Sequence, residues 1–145
     1  MRMTTKGRYA LRATIALAQM GKDGELVSIG TLSEAEGISS VFLEQIFFKL
    51  KKAGIVRSVR GPAGGFTFDR PLDSLSVKEI LDAAGEELTV LPCDRRETKC
   101  DRLSECIAHQ VLTRATDLAN DFFSNVTLKT VLESKEFAAG LGTGE

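Results

Sequence analysis

The chain's three cysteines and its single histidine all fall within residues 93–109, as Cys93, Cys100, Cys106 and His109. The spacing is Cys-x6-Cys-x5-Cys-x2-His. Thiolates and imidazole are soft donors that suit iron–sulfur clusters or zinc. Cys106 and His109 are three residues apart, so on a helix they share a face. Cys93 and Cys100 sit on a stretch rich in Asp, Arg and Lys, with little to bury and little reason to order without a ligand. Four such donors complete either a Cys3His zinc site or a two-iron cluster with one histidine, and spacing alone does not separate the two. An odd cysteine count leaves at least one thiol without an internal partner. A lone histidine and the lack of a pocket motif supply no nucleophile–base pair, which argues against an enzyme.

The rest of the chain bounds the setting. Its 145 residues suffice for one domain and one core. Apolar residues make up 43% and charged residues 27%, the balance of a globular chain. No apolar run is long enough for a bilayer. Lys6, Arg8 and Arg12 interrupt any signal-like apolar stretch. The expected compartment is the cytoplasm, with no membrane partner; thiols stay reduced there, which favours metal or redox chemistry over a structural disulfide. The net charge of −1 hides an asymmetry: residues 1–70 hold 11 Lys and Arg against 6 Asp and Glu (net +5), and the remainder 8 against 14 (net −6). A basic half joined to an acidic half points to a polyanion partner for the first half.

The elements that must position these groups can be read from periodicity and caps. A first helix is expected over Thr5–Met20, capped by Thr4 or Thr5, ended by Gly21, with Leu11, Ile15 and Ala18 on one face. Residues Leu26–Ser28 can start a short strand. Ser28 caps a helix from Ile29 to Glu36, and Gly37 ends it in a left-handed conformation. Ser39 or Ser40 caps a second helix reaching about Ala53. Helix, glycine turn and capped helix make a helix-turn-helix. In its second helix Phe42, Leu43, Ile46, Phe47 and Leu50 form the apolar face, leaving Ser40, Glu44, Gln45, Lys49 and Lys52 outward. "IVRSVRGPAGGFTFDRP" then reads as a hairpin, with Val56–Val59 and Phe66–Phe68 as strands and RGPAGG as its tip. A hairpin after a helix-turn-helix is a wing, and Arg60 at its tip can reach a minor groove.

Ser76 caps a further helix that turns Val77, Ile80 and Leu81 inward. A long helix is expected over Leu103–Phe123, with Leu103, Ile107, Val111, Leu118 and Phe122 along one stripe and Leu112, Ala115 and Ala119 widening it. That stripe needs a partner. A second copy of the chain is favoured over packing back on its own domain, and the resulting twofold homodimer would match a palindromic or pseudopalindromic operator in double-stranded DNA. A short helix over Thr127–Leu132 braces it, and the end "AAGLGTGE" is expected to fray.

"TTKGRYALRA", "GISSVFLEQIFFKLKKAGIVRSVRGPAGGF" and the three-cysteine segment together resemble the IscR/NsrR family of winged-helix regulators, within the Rrf-two superfamily. The resemblance covers roughly Met1 to Glu133. It implies a homodimeric transcription factor whose cluster tunes DNA binding. Cys93, Cys100, Cys106 and His109 match the pattern of the iron–sulfur cluster regulator branch, which implies a [2Fe–2S] cluster on these four ligands; the first gap is one residue longer here. The nitric-oxide-sensing branch, with a [4Fe–4S] cluster and an N-terminal aspartate ligand, fits less well, because "KGRYA" has Arg8 and no aspartate precedes Asp23. The alternatives left are a nitric-oxide-, zinc- or thiol-redox-responsive repressor on the same DNA module, with a [4Fe–4S] cluster or zinc in place of the two-iron cluster.

For DNA, the resemblance implies Ser39, Ser40, Glu44 and Gln45 in the major groove, where Gln can read adenine and Glu can accept from cytosine. It places Arg60 in the minor groove and Lys6, Lys49 and Arg57 at phosphates. The expected fold class is mainly α with a small β wing: a winged helix-turn-helix domain plus a long C-terminal dimerisation helix. The expected boundaries are 1–85 for the DNA-binding domain (helix-turn-helix about 28–53, wing about 55–69), 86–110 for a cluster-binding loop, 103–133 for the dimerisation helix and brace, and 134–145 for a flexible tail.

Overall fold

Thr4 opens the first helix: its hydroxyl accepts the Gly7 N–H, and α1 runs Thr5–Met20 to Gly21. The computed structural model describes residues 2–88, 100–102 and 104–139. Of the two expected caps, Thr4 serves and Thr5 lies inside the helix. The buried face of α1 is Ala10, Ala13, Thr14 and Leu17, with Ala18 beside it; Leu11 and Ile15 are only half-buried. Small residues are what lets this helix pass close to the middle of the domain. Leu11 instead packs on a second cluster with Val77, Leu81 and Leu88.

Ser28 caps α2 (Ile29–Glu36), and Gly37 ends it at φ 65°, the left-handed conformation glycine tolerates. Ser39, not Ser40, caps α3 (Ser40–Lys52) by accepting the Phe42 N–H. Lys49, Lys51 and Lys52 fill the last turn of α3 and complement its dipole. Arg12 of α1 holds the end of α2, donating to the Glu36 carboxylate at 2.9 Å and to its carbonyl at 2.6 Å.

The wing follows as β1 (Val56–Val59) and β2 (Gly65–Phe68), antiparallel, with Val56 opposite Phe68 and Val59 opposite Gly65. The expected short strand at Leu26–Ser28 is reduced to one bridge, Val27 to Phe66. That bridge docks the wing on the loop between α1 and α2. Leu43, Phe47 and Leu50 of α3 meet Ala10, Ala13 and Leu17 of α1 and Ile55 and Val56 in a single core.

Ser76 caps α4 (Val77–Ala83), which buries Val77, Ile80 and Leu81 as expected. The long helix, α5, spans Ile107–Asn125 and so begins four residues later than expected, with Cys106 as its cap. It packs on α4, with Phe123 against the cluster of Val77 and Leu81. The chain then returns to the domain: Val77 N–H donates to Val126 O at 2.8 Å, and Leu128 N–H to Leu75 O at 2.9 Å. Helix α6 (Leu128–Glu133) thereby drives Leu128 fully into the main core. A further helix, α7 (Lys135–Ala139), occupies the first part of the segment expected to be a flexible tail; two successive good helix formers, Ala138 and Ala139, favour its last positions. Residues 140–145 of that tail lie outside the described residues. Among the described residues no helix is long and apolar enough to cross a membrane.

The start of α4 is the best-secured helix end. Ser76 and Glu79 exchange hydrogen bonds in a capping box, each at 3.1 Å, and the Arg70 guanidinium reaches the Glu79 carboxylate at 2.9 Å. The Arg70 hydrogen bond holds the Glu79 carboxyl below its ordinary range, against the opposing effect of partial burial. A depressed carboxylate contributes stability that is present above its unfolded value, about 4.3, and lost as pH falls through the lower folded value. Glu79→Gln keeps the capping geometry and loses the charge. The variant should be less stable than the parent at pH 7 by less than about 1 kcal/mol, because the pair is solvent-screened. Urea denaturation at pH 7 and pH 3.5 should show that gap closing in acid.

Candidate nucleic-acid interface and metal centre

The first turn of α3 follows a tight glycine turn, so Ser39 and Ser40 stand exposed at the helix N-terminus. The inward residues Leu43, Phe47 and Leu50 fix the helix about its axis. Glu44, Gln45 and Lys49 therefore face solvent. Lys6, from the first turn of α1, joins them around one shallow depression, which Phe48 and Ala84 also line. Four of the eight expected DNA-contacting residues are thus brought together. Neither Glu44 nor Gln45 has its head group held by a hydrogen bond among the described residues, so both remain free to pair with an incoming partner.

The wing supplies two more exposed cations, Arg57 on β1 and Arg60 at the turn. The tip closes with Gly64 N–H donating to Gly61 O at 2.9 Å, and Gly61 sits at φ 121°. Lys51 of α3 donates to Ser58 of β1 at 2.8 Å, and the Phe47 and Phe66 rings pack 4.9 Å apart. Helix α3 and the wing are therefore parts of one packed body.

Three residues of consequence were not expected. Val41 and Phe48 stand exposed beside Glu44 and Gln45; the run of apolar residues in α3 masked them, because five of its neighbours suffice for the inward face. Glu86 is almost fully buried, and its carboxylate accepts the Thr4 N–H at 3.0 Å and the Thr4 hydroxyl. A Cβ on Gly7 would come within 2.3 Å of that carboxylate, so Gly7 is what lets it approach α1. The pair Thr4–Gly7 marks the receiving end in the sequence, but nothing in "GEELT" distinguishes Glu86 from its acidic neighbour.

On the other side, Cys106 Sγ accepts the His109 N–H at 3.4 Å, and both residues are half-buried at the start of α5. His109 Nε2 lies 3.5 Å from the Thr113 hydroxyl. Cys100 is exposed, just ahead of the turn that Glu105 N–H closes onto Arg102 O at 3.1 Å. Cys93 and Leu103 lie outside the described residues, and among the described residues no three His, Cys, Asp or Glu converge as a metal site. The donor chemistry nevertheless fits a soft metal group: a thiol and an imidazole share one helical turn, and a second thiol precedes them by six residues. The rest of the expected dimer stripe is on the surface, with Ile107, Val111, Leu118 and Phe122 each more than half exposed. It does not pack back on its own domain.

These features define a winged helix-turn-helix protein with a long C-terminal helix. Residues 3–134 match the family model described as "Rrf2: Iron-dependent Transcriptional regulator", and the chain belongs to that family. It is 36% identical over 136 residues to the HTH-type transcriptional regulator IscR of Pectobacterium atrosepticum, covering 94% of this chain and 82% of that one. Among solved structures it resembles T. potens IscR, with a TM-score of 0.74 at 26% identity over 100% of this chain and 93% of that one. It also resembles the oxidized form of Staphylococcus aureus CymR, with a TM-score of 0.72 at 32% identity over 92% and 98%. The chain is a DNA-binding transcriptional regulator of the IscR-like type, and its relatives are regulators rather than enzymes.

The wing's geometry generates a direct test. A Cβ on Gly64 would fall 2.2 Å from Val59 O and 2.9 Å from Gly61 O, both backbone atoms that cannot swing aside. Gly64→Ala should cost about 1–3 kcal/mol in denaturant unfolding, whereas Ala63→Gly, at the exposed tip, should change stability by no more than about 1 kcal/mol. Equal stability of the two variants would contradict the closed tip.

Proposed function

We propose that the chain binds a palindromic or pseudopalindromic operator as a twofold homodimer, and that a [2Fe–2S] cluster held by Cys93, Cys100, Cys106 and His109 tunes that binding. The observation that carries this reading is the make-up of α5. Two of the four soft ligands sit at its start, Cys106 as its cap and His109 in its first turn, and its outer stripe is apolar and exposed. A helix that holds a ligand set at one end and a partner along its length links the two by its own rigidity. When bound, the cluster supplies a redox-active centre whose charge and ligation can change; the chain's own residues do the rest. The helix N-terminus favours the negative charge of a thiolate-ligated group. Thr113, whose hydroxyl lies 3.5 Å from His109 Nε2, is placed to orient the imidazole as outer-shell partners do.

On the DNA side, Ser39, Ser40, Glu44 and Gln45 contact base edges in the major groove. Lys6, Lys49 and Arg57 neutralise phosphates, and Arg60 enters the minor groove. Coupling of about 1–3 kcal/mol between cluster and operator suffices for regulation. A second reading is zinc- or thiol-based sensing with the same DNA module. The exposed Cys100 thiol favours it, as does the likeness to a CymR solved in an oxidized form.

Protein purified without oxygen should show visible charge-transfer absorption that is lost on changing any one of Cys93, Cys100 or Cys106 to alanine. A colourless protein with stoichiometric zinc supports the second reading, and an unchanged spectrum in all three variants refutes the ligand set.

The two DNA elements should fail differently. Arg60→Ala should weaken operator binding by about 1–3 kcal/mol and lower the salt slope by about one. Glu44 has the wrong sign for phosphate, so Glu44→Ala should leave the best site nearly unchanged while relaxing preference among single-base variants. Competition binding at fixed salt across a panel of such duplexes measures both.

A further inference from the structure

Helix α3 carries two large apolar side chains that its own fold does not use. Leu43, Phe47 and Leu50 are fully buried and Ile46 nearly so, which completes the inward face. Val41 and Phe48 stand on the opposite side, 66% and 67% exposed. One exposed valine needs no explanation. These two, however, are seven residues apart, two helical turns, and so share a face. Glu44 and Gln45 lie between them, and Lys6 and Lys49 border the same depression. Along the helix the order is apolar, polar, polar, apolar, flanked by cations.

The nature of the covering partner follows from that mixture. An apolar protein surface would have to strip water from Lys6, Glu44 and Lys49 along with the two apolar groups, at a heavy desolvation cost. A DNA duplex satisfies all of them together: phosphates for the lysines, base edges for Glu44 and Gln45, and the one apolar group that the major groove offers, the thymine 5-methyl. Resting on the reading of α3 as the recognition helix, we propose that Val41 and Phe48 read thymine methyl groups on either side of the bases addressed by Glu44 and Gln45. Seven residues advance about 10 Å along a helix, and bases follow one another every 3.4 Å or so. The two thymines therefore lie about two to three steps apart. A cytosine there would set an amino group and no methyl against an apolar side chain.

Deoxyuridine isolates this contact, because it differs from thymidine in duplex DNA by the methyl alone. The full chain, purified without oxygen, selects a duplex from a randomised pool, and each thymine of that duplex is then replaced singly by deoxyuridine. Each half-site should contain two positions where the replacement weakens binding about three- to fivefold, the factor for losing one buried methyl-sized group. Val41→Ala should abolish the sensitivity at one position and Phe48→Ala at the other. Tight binding of the selected duplex with no thymine giving even a twofold change overturns the methyl reading. The recognition-helix reading survives that result if Glu44→Ala still alters selection. Sensitivities that persist unchanged in both variants also overturn the proposal, because the methyl contacts then belong to other residues. A chain that selects no duplex overturns the recognition-helix reading, and this proposal with it.

Discussion

Phe47 is the residue on which the rest of this structure turns. It is fully buried, it lies on the recognition helix, and its ring packs against Phe66 of the wing. With Leu43 and Leu50 it settles the rotation of α3 about its own axis, and thereby which residues face solvent. Through Phe66 it sets where the wing stands relative to that helix. A packed interior tolerates little rotation, because one methylene of misfit costs on the order of 1 kcal/mol. The two elements proposed to face DNA are therefore held in register by this aromatic contact and the core around it.

The second constraint lies where the domain leads into the cysteine segment. Glu86 is a carboxylate in a nearly water-free position, which would be costly without partners. It has them in the N–H and hydroxyl of Thr4, at the first turn of α1, and Gly7 leaves room for it. Two residues on, Leu88 O accepts from Asn120 Nδ2 of α5 at 3.4 Å. The start of α1, which carries Lys6, and the middle of α5, whose first turn carries His109, are thus joined through three residues of backbone. Contiguous contacts of this kind are one route by which coupling between two sites can travel.

Local signals wrote most of the fold plainly into the sequence. Ser28, Ser39 and Ser76 cap helices because short hydroxyls match orphan N–H groups, and Gly37 ends one because it alone accepts the left-handed turn at no steric cost. The hairpin followed from alternation around a glycine-rich tip. What escaped was set by tertiary packing. The buried face of α1 is a small-residue stripe, not the Leu11–Ile15 face that periodicity favours, because closeness to α3 mattered more than side-chain size. Cys106 caps α5 through its sulfur, a role that spacing alone did not mark. Glu86 was invisible because its partners are more than eighty positions away in the chain. At the site, the outward faces of α3 and α5 were legible as residue types. Cys93, which completes the proposed ligand set, lies outside the described residues.

Among the described residues α3 and α5 each expose apolar side chains, and the two faces differ in composition. On α5 the stripe Ile107, Val111, Ala115, Leu118 and Phe122 contains no charged residue over four turns. Such a stripe is complementary to itself, and a twofold axis lets the same patch serve both sides. On α3 the exposed apolar residues lie among Glu44, Gln45 and lysines, a mixture that suits a partner carrying phosphates and polar edges. The same distinction appears in the charge balance, with +5 in the half that holds α3 and −6 in the half that holds α5. On the proposed reading the basic half engages the duplex and leaves the α5 stripe to a second chain. On that reading α4, which packs against both α3 and α5, is the element through which a change at the start of α5 would reach the recognition helix without altering the surface proposed to read the bases.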